Sequence, residues 1–139
     1  MMLEIELPVK IRFSDTDAMG VVWHGNYLRF FEDAREAFGA TYGLAYLDIY
    51  NNGYFTPIVK SSIEHKAPIY YGEEPVIKAR YVFSAAAKLV FEYTIINPKN
   101  QQVIATGLTV QVFLRASDRV LELSKPEFFL AWENKFNDK

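Results

Sequence analysis

Asp15 and Asp17 stand two residues apart in Ser14-Asp15-Thr16-Asp17-Ala18-Met19-Gly20, a stretch that continues through Val21-Val22-Trp23-His24-Gly25-Asn26 into a segment striped with apolar residues from Tyr27 onward. A carboxylate held in a loop can attack a carbonyl carbon, or take a proton from water aimed at one. The first N–H groups of a helix have no intrahelical acceptors and carry partial positive charge, so an oxyanion formed by that attack can settle on them. An Asp in a glycine-containing loop is also commonly a turn or capping residue, and the pattern by itself leaves both roles open.

The flanking elements follow from hydrophobic period. Residues 3–13 alternate, with Leu3, Ile5, Leu7, Val9, Ile11 and Phe13 opposite Glu4, Glu6, Lys10 and Arg12, which predicts a half-buried strand. Pro8 interrupts its donor ladder, which points to an edge position or an irregular start. From Tyr27 the spacing becomes helical through Phe30, Phe31, Ala34, Phe38, Thr41 and Tyr42, with Asn26 as N-cap and Gly43 as C′ residue. Sixteen residues at 1.5 Å each make a rod of roughly 24 Å, enough to cross a sheet. Residues 44–53 read as a short apolar turn and a loop.

Strands then follow to about Leu123. Val59, Ser61, Ile63 and His65 alternate with Lys60, Ser62 and Glu64; Ile77, Ala79, Tyr81 and Phe83 with Lys78, Arg80 and Val82; Leu89, Phe91, Tyr93 and Ile95 with Val90, Glu92 and Thr94. Val103 to Leu114, apolar on both faces, suits a central strand. Ser124-Lys125-Pro126-Glu127 opens a short terminal helix with Phe128, Phe129, Trp132 and Phe136 on one face. This is an α+β chain of about five antiparallel strands, one long helix and a short C-terminal helix, read as a single domain over residues 1–139 without repeats or linkers. A single sheet wrapped around one helix leaves its other face and edges to be covered, which predicts a homo-oligomer.

Composition removes whole classes of function. Half of the 139 residues are hydrophobic, and 15 Lys and Arg against 17 Asp and Glu leave no basic face for nucleic acid. With no cysteine there is no thiolate nucleophile, thiolate metal site or disulfide. His24 and His65 are the sole histidines, and no His-Glu-x-x-His pair, phosphate-binding glycine loop or Gly-x-Ser-x-Gly elbow occurs, so no metal and no cofactor is expected. No apolar run is long enough to span a membrane, and Met1-Met2-Leu3-Glu4-Ile5-Glu6 has acidic residues where a leader carries basic ones, so a cytoplasmic location is expected.

Asp15-Thr16-Asp17-Ala18-Met19-Gly20-Val21-Val22-Trp23-His24-Gly25-Asn26-Tyr27 resembles the active-site signature of hotdog-fold acyl-CoA thioesterases of the 4-hydroxybenzoyl-CoA thioesterase and YbgC-like group. The likeness extends to Phe31-Glu32-Asp33-Ala34-Arg35 and to Ile63-Glu64-His65-Lys66-Ala67-Pro68 with Gly72. It implies the hotdog fold, a sheet wrapped around the long helix, and thioester hydrolysis without a cofactor beyond the coenzyme A of the substrate. It makes Asp17 the nucleophile or general base and the backbone N–H of His24 or Gly25 the oxyanion donor. Asp15 then reads as a loop-fixing carboxylate. A thiolate leaves readily at its pKa of roughly 8.5, so such sparse machinery suffices. The resemblance also implies a dimer with shared active sites and a dimer-of-dimers tetramer.

Tyr27 is the helix aromatic expected to touch substrate; Tyr81, Phe83 and residues 47–56 are candidates for the pocket wall. The connection Ser84-Ala85-Ala86-Ala87-Lys88 offers Lys88 alone to the coenzyme A phosphates, which leaves an acyl-carrier-protein substrate open beside acyl-CoA. His65, on the apolar side of its strand, reads as a packed, hydrogen-bonded histidine. A hotdog module that binds acyl thioesters without cleaving them is the competing reading.

Overall fold

The computed structural model describes residues 3–137; Met1 and Met2, part of the opening stretch read above, lie outside the described residues. Five strands form one antiparallel sheet in the order β1-β4-β5-β6-β3: β1 is Glu4–Pro8, β3 Ile58–His65, β4 Val76–Val82, β5 Lys88–Asn97 and β6 Gln102–Val112. A two-stranded ribbon pairs β2 (Tyr54–Phe55) with β7 (Leu114–Arg115). Helix α1 (Tyr27–Tyr42) lies on the sheet, α2 (Tyr46–Asn51) follows it, and α3 (Glu127–Asn137) closes the chain. This is the hotdog architecture.

The apolar stripe of α1 is the centre of the core. Phe30, Phe31, Ala34 and Phe38 are each at most 1% exposed, and burial of a Phe side chain stabilises by roughly 1.5–3 kcal/mol. Phe31 stacks on Tyr93 of β5 at 4.4 Å, and Phe38 meets Phe91 edge-on at 4.9 Å. The helix therefore runs with its N-terminus at the His65–Ala105–Ile95 end of the sheet and its C-terminus toward Phe91 and Tyr81. It ends on Gly43, in the left-handed region at φ +82°. Trp132 of α3 donates its indole N–H to the Tyr42 carbonyl at 2.8 Å, fastening the last helix to the end of the first.

Several expectations from the sequence need correction. The first strand does not run to Phe13: it stops at Pro8, and after Val9 donates to the Pro75 carbonyl the chain leaves the sheet. Ile11 is still buried, but Phe13 is 77% exposed in a 3-10 turn, edge-on to Tyr71. Residues 46–51 form a helix, α2, because Asp48 accepts from the Ala45 N–H and Glu36 from the Tyr46 N–H, satisfying two donors at its start. The apolar strand β6 lies one place in from the edge rather than at the centre, with β3 outside it. That outer strand is exposed at every residue except Ile63 and has no partner on its far side among the described residues.

Candidate active site

The loop between β1 and α1 is closed through one buried carboxylate. Asp15, 3% exposed, accepts from the Arg12 backbone N–H at 2.8 Å and from the Arg29 guanidinium at 2.5 Å, with the Arg12 guanidinium at 3.5 Å. Burial alone pushes this carboxyl upward, but the Arg12 N–H and the two guanidinium charges outweigh it and hold it below the usual carboxylate range. Its backbone carbonyl is equally engaged, accepting from Trp23 N–H and the Asn26 side-chain amide, each at 2.9 Å. Both ends of the loop thus meet at Asp15, which is the loop-fixing role the sequence assigns it.

Between those anchors the chain forms a small hairpin. Thr16 bridges Val22, Asp17 N–H donates to Val21 O at 2.9 Å, and Gly20 N–H donates to Asp17 O at 3.0 Å. Gly20 takes φ +78°, a conformation costly for any residue with a Cβ. The hairpin is docked by Val22 N–H to Ile69 O at 2.8 Å and Tyr71 N–H to Gly20 O at 3.2 Å. Asp17 sits half-buried at its tip, one carboxylate oxygen accepting from Met19 N–H at 2.8 Å. The other oxygen has no hydrogen-bond donor among the described residues.

The helix start departs from expectation in a useful way. Asn26 is already helical and its side chain caps nothing, being spent on the Asp15 carbonyl. A 3-10 turn over His24–Asn26 instead prefixes α1 and moves its positive end back to Trp23. Among the described residues, the backbone N–H groups of His24 and Gly25 donate to no acceptor. The Trp23 ring packs where a Cβ on Gly25 would stand, so only glycine admits that contact. Asp17 and these two donors are consequently held by the same frame.

The remaining sequence candidates are distributed elsewhere. Tyr27 is 3% exposed, its ring edge-on to His65 at 4.6 Å, and burial pushes its phenol upward. His65 is exposed and makes this ring contact without a hydrogen bond among the described residues, contrary to the expected bonded histidine, because it stands at the end of the edge strand β3. Tyr81 donates its hydroxyl to Glu133 at 2.5 Å within the α3 contact, burial and Glu133 together raising its pKa. Exposed Phe83 carries the Lys125 ammonium 4.3 Å above its ring. Exposed Lys88 opens β5 opposite Val112. Tyr81, Phe83 and Lys88 lie at the far end of the sheet from Asp17, separated by about seven strand residues, or roughly 24 Å. One chain does not bring them to its own carboxylate.

A cleft of about 390 Å³ opens at that far end, lined in part by Ile49, Phe55 and Thr56 from the predicted wall segment. Leu47, from the same segment, faces outward at 62% exposure. The sequence also missed Gln111 in this lining. It sits in a run that reads as an apolar strand, and register alone would have placed it opposite Leu89 on the helix-facing side. Among the described residues no group of three or more His, Cys, Asp and Glu is placed to hold a metal ion, and no helix is long and apolar enough to cross a membrane.

Residues 11–132 match the thioesterase-like superfamily. The chain belongs to this family. As a member of the thioesterase-like superfamily it is 34% identical over 127 residues to a Bacillus subtilis protein called "Putative acyl-CoA thioesterase YneP", covering 90% of this chain and 92% of that one. It is 29% identical to a 1,4-dihydroxy-2-naphthoyl-CoA hydrolase of Synechococcus elongatus, over 78% of this chain and 80% of the relative. Among solved structures, a 1,4-dihydroxy-2-naphthoyl-CoA thioesterase from Synechocystis superposes with a TM-score of 0.83 at 20% identity, covering 98% of each chain, a likeness of fold.

Proposed function

We propose that the protein hydrolyses acyl-CoA thioesters, with Asp17 as nucleophile or general base. The observation that carries this reading is a common frame: the hairpin that carries Asp17 and the turn that carries the unengaged His24 and Gly25 N–H groups are both tied to Asp15 ahead of α1. In the nucleophilic route an Asp17 oxygen bonds to the thioester carbon, the carbonyl electron pair moves onto an oxygen held by those N–H groups, and the C–S bond breaks as the thiolate leaves. Water then cleaves the mixed anhydride and restores the carboxylate. In the general-base route Asp17 takes the proton of the water that attacks. No cofactor takes part in either.

The site is completed by a second copy of the chain. Pairing β3 antiparallel with β3 of a partner sets the Ile58 end of one beside the His65 end of the other, and so brings one subunit's cleft and Lys88 toward the partner's Asp17. It also covers the unpaired edge. Dimers of this kind can pair again as tetramers.

Thiol release from a panel of aliphatic and aromatic acyl-CoAs tests the assignment: Asp17→Asn lowers turnover by roughly 10³-fold or more. Equal turnover by variant and parent would remove Asp17 from the mechanism. Binding without turnover across the panel would make the protein an acyl-thioester-binding module, and turnover of acyl-carrier-protein thioesters alone would move the substrate to that carrier.

A further inference from the structure

The cleft between α1, α2 and the floor of β5 and β6 has mainly apolar walls, among them Leu44, Ile49, Phe55 and Leu89. Of its polar lining, Gln111 and Arg35 have hydrogen-bonding capacity left over, while Arg119 lies over the Phe55 ring at 5.7 Å and Glu36 accepts from the Tyr46 N–H. Gln111, 4% exposed, donates its amide nitrogen to the Thr56 carbonyl at 2.6 Å and to the Thr56 hydroxyl at 3.1 Å. The carbonyl fixes the amide's orientation, since flipping it would set oxygen against oxygen. Gln111 Oε1 is left buried and without a partner among the described residues. From the opposite wall comes Arg35, whose side chain is only 19% exposed and whose bonds are slack: 3.4 Å to the Tyr93 hydroxyl and 4.0 Å to Glu32.

A buried amide oxygen lacks a donor, and a half-buried guanidinium has donors to spare. A hydroxyl answers both, donating to the one and accepting from the other. A carboxylate would suit Arg35 but oppose Oε1, and a plain alkyl or aryl end would leave both unanswered.

We propose that this cleft holds the acyl part of the thioester, and that Gln111 and Arg35 select acyl groups bearing a hydroxyl at the end remote from the thioester. This rests on the two-copy site proposed above, in which a cleft faces the partner's Asp17.

The test uses two matched pairs of acyl-CoAs, para-hydroxyphenylacetyl against phenylacetyl and ω-hydroxyoctanoyl against octanoyl, which separate an aromatic from an aliphatic spacer. Binding to the Asp17→Asn variant is measured by calorimetry, so that turnover is not needed. The hydroxylated member of at least one pair binds tighter by about tenfold or more. Adding Gln111→Met brings that ratio to within about twofold, whereas Thr56→Val, which leaves Oε1 in place, preserves it. If Gln111→Met does not fold, Arg35→Met carries the same test and lowers the preference. Equal binding within both pairs, a preference that survives Gln111→Met and Arg35→Met, or no binding of any of the four overturns the assignment. A Gln111-dependent preference together with full turnover by Asp17→Asn would instead leave the cleft standing and overturn the role of Asp17.

Discussion

Arg29, in the first turn of α1, places its guanidinium 2.5 Å from Oδ1 of the buried Asp15 and so ties the helix to the head of the loop that presents Asp17. The pair positions the site without touching it. Replacing Arg29→Met removes that tie but leaves the Arg12 N–H on Asp15. Because the Arg29 side chain is 39% exposed, solvent screens the lost charge contact, and the stability cost is only about 1 kcal/mol. The cost to geometry is larger. Turnover number falls on the order of 10-fold or more while KM changes little, as measured by steady-state kinetics beside a thermal melt.

Asp15 also sets part of the acid limit of the fold. Its folded pKa lies below the unfolded value of roughly 3.9, so it contributes stability that is present above that value and is lost as pH falls through the folded pKa. Asp15→Asn removes this contribution. Melting temperature followed from neutral to strongly acidic pH falls less steeply below about pH 4 in the variant than in the parent, although the variant starts lower.

Gly20 carries the turn that presents Asp17 at φ +78°, and a Cβ there meets no atom within 4 Å. The cost of Gly20→Ala is therefore backbone strain alone, about 1–2 kcal/mol. A turn relaxing away from φ +78° shifts Asp17, so the variant loses more activity than its melting temperature implies. Comparable kinetics in variant and parent would show that the carboxylate tolerates the change.

Lys125 and Glu133 form a 2.8 Å ion pair with both side chains under 10% exposed, and Glu133 also receives the Tyr81 hydroxyl. Glu133→Leu strands the ammonium beside Phe83 and Phe129 and costs about 3 kcal/mol, whereas the double replacement Lys125→Met with Glu133→Leu costs less than either single change. Denaturant unfolding of the three variants reads this non-additivity directly.

Period was the strongest signal in the chain. The α1 stripe and the alternation of β4 and β5 are both written by residues whose neighbours along one face are also neighbours in space, so the sequence predicts them closely. The terminal helix was legible for the same reason. The errors arose where long-range partners decide. Phe13 continues the alternation of the first strand, but the ladder ends at Pro8, the chain leaves the sheet after Val9, and the Asp15 carboxylate then holds the Arg12 N–H at the head of a 3-10 turn. Asn26 looks like a cap, yet its amide is claimed by a carbonyl eleven residues away. His65 shares the parity of buried strand residues, but it stands on an edge, which parity does not encode. For the candidate site, the local grouping of Asp17, His24 and Gly25 was readable because one loop carries all three. Tyr81, Phe83 and Lys88 required knowledge of strand direction, and Gln111 required register.

The hairpin bearing Asp17 and the cleft bearing Gln111 are built from segments that share no residue and sit at opposite ends of one sheet. Exchange of residues 44–57 together with Arg35 and Gln111 between relatives would therefore graft a new acyl preference onto an unaltered acid and helix start, and drift in one would leave the other's chemistry free to persist.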